Sequence, residues 1–530
     1  MSEPVLLVLG LVASVALAVI AKRLQVPYPI VFVVAGTALA FVPGLPAIQI
    51  SPDWIFLAVL PPLLFSAGWT TDWAIFRANA RAILQLAIGL VVVTTVAVAF
   101  VATRIVPGLA LAPAFALGAI ISPTDAIAAS ATFTRFEIPR RIIGIIEGEG
   151  MVNDATALVI YGYAVAATLA VSAAGNFSLL AAVRSFIVVA AGGIALGLIV
   201  AWCVEFISRQ LEQFELNDSL IDNLLLIGAP YVAYLAGQAV HVSAVLAVVI
   251  AGITLSRRSS VVYSPQVRLI AWNVWSLWIF VLNAYMFLLI GLQLRLFIAG
   301  NAQVSRVLPA AAAIALLVIA VRLVWVYPTA WIARLIPAVR RVDPLPALGA
   351  LTIVGWSGMR GIVSLAAALA LPNNFPDREL IVFVTFVVIF ITLVGQGVTL
   401  DPVLNFLHIR EEEEEGRREV ELRIRALESG LRRLTEIDGE TSDPHVRGDL
   451  SRLRAEYSSR IEHLRNEIAA EGDTLPPQTQ EHLDYAEREA LHAERRAIMD
   501  LRDRGEIPDE AFRRIEYDLD LAESRLKLER

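Results

Sequence analysis

The sequence predicts an all-α, polytopic membrane protein with about thirteen transmembrane helices and a soluble, helical C-terminal tail. Three observations carry this. Of the 530 residues, 57% are hydrophobic, and the mean hydropathy is +0.67, a balance that excludes an ordinary soluble protein. Apolar stretches long enough to cross ~30 Å of hydrocarbon recur through roughly the first 400 residues. Near residue 408 the charge balance inverts: 21 Lys and Arg stand against 17 Asp and Glu before it, and 22 against 33 after it. The chain accordingly divides into a transmembrane domain, 1–408, and a charged tail, 409–530.

The apolar stretches start near Pro4, Tyr28, Asp53, Arg81, Leu111, Arg141, Ala181, Ser219, His241, Trp272, Ser305, Leu345 and Glu379. The first, Val5 to Ile20, carries neither a basic leader nor a small-residue cleavage site, so it is expected to stay as a span. Basic residues set the orientation. With the N-terminus outside, Lys22, Arg23, Arg140, Arg141, Arg257, Arg258 and others fall in inner loops, about fourteen against about five outside. An odd number of spans then leaves the tail in the cytoplasm, and the plasma membrane is the expected location. Trp272, Trp275 and Trp278 read as an interfacial belt.

The tail opens with Glu411 to Glu415 and continues with Ile424, Leu427, Leu431 and Leu434 at helical spacing. Segments Asp438 to Pro444 and Gly472 to Gln478 look like breaks between two or three helices. Its charges suit a solvated face that packs on itself or on a second copy. The single cysteine, Cys203, excludes an intrachain disulfide framework and a clustered thiolate metal site. No enzyme chemistry, cofactor or nucleic-acid partner is expected.

Function is written in the acids of the membrane half. The sixth span carries Glu147, Glu149, Asn153 and Asp154 within an otherwise apolar helix. Charged side chains at that depth cost several kcal/mol and mark ion or proton pathways. With Arg140 and Arg141 at the inner headgroups, Asp154 lies about 13 residues further, roughly 20 Å along the helix and close to mid-bilayer. Glu149 and Asn153 share a face, and Gly150, one turn before Asp154, leaves space beside the carboxylate. A second acid, Asp125, follows Ser122, Pro123 and Thr124 in the fifth span. Pro123 cannot bond the carbonyl four residues back, so the helix should break there and free oxygens near Ala119 and Ile120 for a cation. Gly355, Gly358 and Gly361 around Arg360 break a late span in the same way. Two interrupted spans, one in each half, are the mark of a transporter that binds substrate at the midplane. Arg322 reads as structural or crevice-facing, and the hydroxyls of Thr124 and Ser66 suit backbone carbonyls as well as an ion.

These residues also carry a resemblance. Leu60-Pro61-Pro62-Leu63-Leu64-Phe65, then Ser122-Pro123-Thr124-Asp125, then Glu147-Gly148-Glu149-Gly150 running into Asn153-Asp154, resemble the electroneutral sodium/proton exchangers of the monovalent cation:proton antiporter family. Pro230 to Leu235, Leu289 to Leu294, and Gly358-Met359-Arg360-Gly361 follow in the family's order. The match covers nearly the whole membrane half and not the tail. It implies a homodimer, inverted repeats, two crossed interrupted helices, and one cation site per chain. On that pattern Asp154 is the exchanging carboxylate, with Asp125, Thr124 and Asn153 beside it, and Glu149 forms a structural ion pair with Arg360. Asn153, where a second acid would admit a further proton, fits one-for-one exchange. Two positions depart from the pattern: Ser66 stands where the family commonly has an acid, and Gly150 where it commonly has Ser. Glu147, about two turns from Asp154, could stand in for the first.

The expected function is therefore exchange of Na⁺ or Li⁺ for H⁺ in sodium and pH homeostasis, on hard oxygen donors with no Cys or His at hand. The alternatives are a K⁺/H⁺ exchanger and a cation channel or sensor with a regulatory tail.

Overall fold

A computed structural model describes residues 3–42, 54–106, 108–133, 136, 138–170, 179–216, 218–294, 304–335, 346–407, 413–440 and 444–470, with parts of 489–519. All regular structure among the described residues is helical. The chain forms two compact units, residues 1–411 and 412–530.

In the first unit the helices run α1 (Glu3–Leu24), α2 (Tyr28–Ala40), α3 (Ile55–Thr70), α4 (Trp73–Ile105), α5 (Leu111–Ile121), α6 (Ala126–Phe133), α7 (Arg140–Ala170), α8 (Leu179–Gln213), α9 (Ser219–Ala239), α10 (Ala244–Val262), α11 (Pro265–Leu292), α12 (Val304–Ile332), α13 (Leu348–Trp356), α14 (Ile362–Leu369) and α15 (Arg378–Leu407). Local signals fix several starts. The side chain of Asp72 caps α4 by accepting from the N–H groups of Ala74 and Ile75, and Asp218, Ser243 and Ser264 cap α9, α10 and α11. Pro265 sits at N1 of α11, where its missing donor costs nothing. These caps extend α4 and α11 into polar residues, about two turns ahead of the apolar starts at Arg81 and Trp272.

Nine helices among the described residues are long and apolar enough to cross a membrane, counting α5 with α6 as one segment. The remaining apolar segments are α1, the short α2 and α3, and the pair α13 and α14, divided as the glycines around Arg360 predict. The expected starts at Asp53 and Leu345 lie outside the described residues, as does the tail break at 472–478. Three helices carry a π-helical stretch that the sequence did not signal: Ile55–Val59 in α3, Gln85–Leu90 in α4 and Ile391–Gln396 in α15. Of the three belt tryptophans, Trp272 and Trp278 are exposed, whereas Trp275 is buried with its ring 5.0 Å from that of Phe65.

In the second unit α16 (Glu413–Glu440) and α17 (Pro444–Ala470) pack as an antiparallel hairpin. Ile424 is buried with Leu450 and Ile461 of α17, as the apolar spacing requires. Arg454 pairs with Asp438 at 2.9 Å and Arg465 with Glu428 at 2.6 Å across the two helices. Such exposed pairs fix register more than they stabilise.

Candidate functional site

The site is assembled by two chain breaks that meet. In the first, α5 ends at Ile121 before Pro123 and α6 begins at Ala126. Asp125 starts α6 by accepting at Oδ1 from the N–H groups of Ile127 (3.0 Å) and Ala128 (3.3 Å). In the second, α13 ends at Trp356 and α14 begins at Ile362. The breaks are stitched directly: the Asp125 N–H donates to the Met359 carbonyl at 2.7 Å, and Arg360 Nε donates to the Ile121 carbonyl at 3.1 Å. The contact admits no side chain at Gly361, where a Cβ would fall 1.7 Å from Asp125 Oδ2. The crossing of interrupted helices implied by the resemblance is thus present.

Electrostatics explains why the crossing is stable. A helix end of partial negative charge attracts a cation and a positive end attracts an anion. Both C-terminal ends are met by guanidinium groups, Arg360 at Ile121 and Arg322, through Nε at 3.0 Å, at the Val354 carbonyl. The N-terminal ends of α6 and α14 both face the carboxylate of Asp125. The Ala119 carbonyl accepts from Ser122 Oγ at 3.0 Å. The break carbonyls of Ala119 and Ile121 thus each accept from a side chain.

The ion pair differs from the one the resemblance implies. Glu149 is bound bidentately by Arg322, Oε2 to Nη2 at 2.7 Å and Oε1 to Nη1. Arg360 instead donates to the carbonyls of Ile121 and Gly358, and its N–H reaches Thr392 Oγ1 at 3.2 Å. The reason is geometric. α12 brings Arg322 across α7 beside Gly358, where a Cβ would fall 2.3 Å from Arg322 Cδ, while Arg360 is drawn toward the end of α5. Glu149 also accepts from Thr124 Oγ1 at 2.9 Å, and Asn153 Nδ2 donates to that same hydroxyl at 2.8 Å and to the Thr124 carbonyl at 3.2 Å. Thr124 and Asn153 thus belong to a buried network that ties α7 to the first break.

Asp125 and Asp154 line one cavity of about 550 Å³, together with Thr124, Gly150 and Ser66. Asn153, wholly buried, stands behind Thr124 and does not line it. Asp154 is 8% exposed, and its carboxylate engages no hydrogen bond or ion pair with any described residue. Asp125 beside it is held through Oδ1 alone, and its Oδ2 is buried without a hydrogen-bonding partner, so both carboxylates offer oxygen to a ligand. The space left by Gly150 is taken by a second element: a Cβ there would lie 2.7 Å from the Ala126 Cβ, so the glycine lets α7 press on the start of α6. The cavity is also lined by Glu147, which accepts from Ser130 Oγ at 3.3 Å, and by the exposed Lys22.

Sequence reasoning missed Thr392 and Gln396, whose side chains reach the Arg360 N–H and the Trp356 carbonyl (2.8 Å) from the π-helical stretch of α15. Only that irregular turn brings them to the second break, and no composition signal marks it. Arg322 was visible as an intramembrane cation, but not its partner.

Comparisons with known proteins accord with this architecture. Residues 10–406 match the family model described as sodium/hydrogen exchanger, transmembrane. An uncharacterized Na⁺/H⁺ exchanger of Mycobacterium tuberculosis is 32% identical, over 98% of this chain and 97% of the relative. A sodium, potassium, lithium and rubidium/H⁺ antiporter of Bacillus subtilis is 29% identical, over 95% of this chain and 75% of its own. These similarities run into the tail, beyond the motif resemblance. The structure of the sodium proton antiporter MjNhaP1 from Methanocaldococcus jannaschii shares the fold, with a TM-score of 0.59 at 18% identity over 76% of this chain and 97% of that one.

Proposed function

The chain belongs to the sodium/hydrogen exchanger family, and from that premise we propose that it is a secondary antiporter exchanging Na⁺ or Li⁺ for H⁺ electroneutrally. One observation supports the stoichiometry. At the crossing three carboxylates, Asp125, Glu149 and Asp154, stand against two guanidiniums, Arg322 and Arg360, while Glu147 and Lys22, which also line the cavity, offset one another. One negative charge is left over; Arg322 pairs with Glu149 and Arg360 binds carbonyls, so we assign it to Asp154, which has no partner among the described residues, rather than to Asp125, whose Oδ1 caps α6. A single proton or a single monovalent cation restores neutrality, and low-dielectric surroundings favour whichever is bound over the bare charge. Both loaded forms carry the same charge, so neither half of the cycle works against the membrane potential.

In this reading Asp154 is the shared proton and cation site, and the oxygens of Asp125 and Ser66 complete the cavity around the ion. Glu149, Arg322, Thr124, Asn153 and Arg360 hold the crossing. The cavity faces the side of Lys22, which the positive-inside bias makes the cytoplasm, so this conformation is open inward. The protein works as a homodimer in the plasma membrane, N-terminus outside and tail in the cytoplasm, with no enzymatic step and no cofactor.

A K⁺/H⁺ exchanger is the second reading, favoured by the potassium in the name of the Bacillus subtilis relative. Cation-induced proton movement in proteoliposomes, with Na⁺, Li⁺ and K⁺ in turn, separates the two. Wild-type signal with Na⁺ and Li⁺ and none in Asp154→Asn is expected; an undiminished signal in Asp154→Asn would overturn the site.

A further inference from the structure

An exchanger that is open to one face must also expose its site to the other. On the closed side of the cavity the outer half of α11 is buried from Asn283 to Gly291, apart from half-buried Tyr285. It lies in an apolar cluster with Phe32, Leu63 and Leu365, against α2, α3 and α14. One residue breaks the rule. Asn283 is 0% exposed, and neither its Nδ2 nor its Oδ1 has a hydrogen-bonding partner.

A primary amide offers two donors and an acceptor, and burying all of them unmet is among the costliest things a packed interior does. A layer that served only as a seal would carry Leu here. The position is informative. Ile279 and Phe280 of α11 line the cavity that holds Asp125 and Asp154. Asn283 lies four and three residues further, so it points between them, about one helical turn past the cavity wall. Facing α11 across that wall, α14 carries Ser364, which lines the cavity and whose Oγ is also buried without a partner. The closed side thus begins with two unmet polar groups, one on each of two packed helices.

We propose that Asn283 lines the outer access route to the cation site: its amide is desolvated in the inward-open state and faces water and the passing cation in the outward-open one. The cost of burial is then one of alternating access, since it destabilises the state shown and favours the opposite one. A carbonyl oxygen of this kind is a fitting transient ligand for a dehydrating monovalent cation, and Ser364 would share the route. This inference rests on the exchanger reading above.

The test uses the full-length chain with its one cysteine removed, Cys203→Ser, and Asn283→Cys added. A membrane-impermeant maleimide applied to intact cells is expected to label it from outside, at a rate altered by external Na⁺. In parallel, Asn283→Leu is expected to keep or raise the melting temperature and keep its Na⁺-dependent shift, while slowing exchange at least tenfold. Absence of external labelling overturns the proposal, as does exchange by Asn283→Leu within twofold of wild type. Should Asn283→Leu fail to fold, the labelling result decides alone. Exchange by Cys203→Ser in the same preparations separates the two readings: if that background moves no cation against protons, the exchanger reading has failed, and not the role of Asn283.

Discussion

Replacing Arg322 or Arg360 by Met should destabilise the protein to a similar degree, but only the first loss should be relieved by neutralising Glu149. The side chains of Arg322 and Glu149 are 0% and 2% exposed and joined by two hydrogen bonds. Arg322→Met strands a carboxylate away from water, which costs about 3–5 kcal/mol. Arg360→Met strands no carboxylate. It uncaps the carbonyls of Ile121 and Gly358, each such charged bond being worth about 1.5–3 kcal/mol. Adding Glu149→Gln removes the buried charge, so the double variant with Arg322→Met should recover at least ~2 kcal/mol relative to Arg322→Met. With Arg360→Met the coupling should stay under ~1 kcal/mol. The assay is thermal unfolding of the six proteins, wild type included, in one detergent. At roughly 2 °C per kcal/mol for a large domain, Arg322→Met should melt about 6–10 °C early, with some 4 °C returned by Glu149→Gln. Coupling of Glu149 to Arg360 and not to Arg322 would refute the pairing and, with it, the assignment of the spare charge to Asp154.

Three further outcomes follow from the site. Gly361→Ala should lower the exchange rate on the order of 100-fold, because the new Cβ displaces the Asp125 carboxylate; proteoliposome rates within twofold of wild type would contradict this. Gly150→Ser, although it restores the commoner family residue, should cost about 1–3 kcal/mol through collision with the Ala126 Cβ, and melting curves should show Ala126→Gly relieving it. If one carboxylate serves both ligands, the apparent KM for Na⁺ should rise by up to about tenfold per unit fall in pH while the maximal rate stays level, and a KM independent of pH would exclude competition.

What could be read in advance followed from energetic cost. Acids and helix breaks at mid-bilayer are too expensive to be incidental, so Asp154, Asp125, Pro123 and the glycines around Arg360 stood out from sequence, and the structure brings Asp154, Asp125, Pro123 and Gly361 together at one cavity. Pairing was another matter. Two intramembrane arginines could each serve Glu149, and only the path of α12 past Gly358 selects Arg322. The freed carbonyls at Pro123 were legible as a consequence of its missing N–H, but not that Ser122 and Arg360 would take two of them. Gly150 read as room for a close neighbour, but not that the neighbour is Ala126, 24 positions earlier in the chain. Trp275 read as interfacial from its company, though it points inward at Phe65. Each miss is a contact between segments distant in sequence, where local pattern has no purchase.

The central claim is that the buried site lacks one positive charge and that one proton or one cation supplies it. Its most direct test is the Na⁺ gradient at which net proton flux through the reconstituted protein reverses, measured with and without an imposed membrane potential. One-for-one exchange leaves the reversal gradient unchanged. A cycle that carries one net charge would shift it by about 2.3 kcal/mol per 100 mV, close to a fiftyfold change in the gradient, and that displacement would contradict the account.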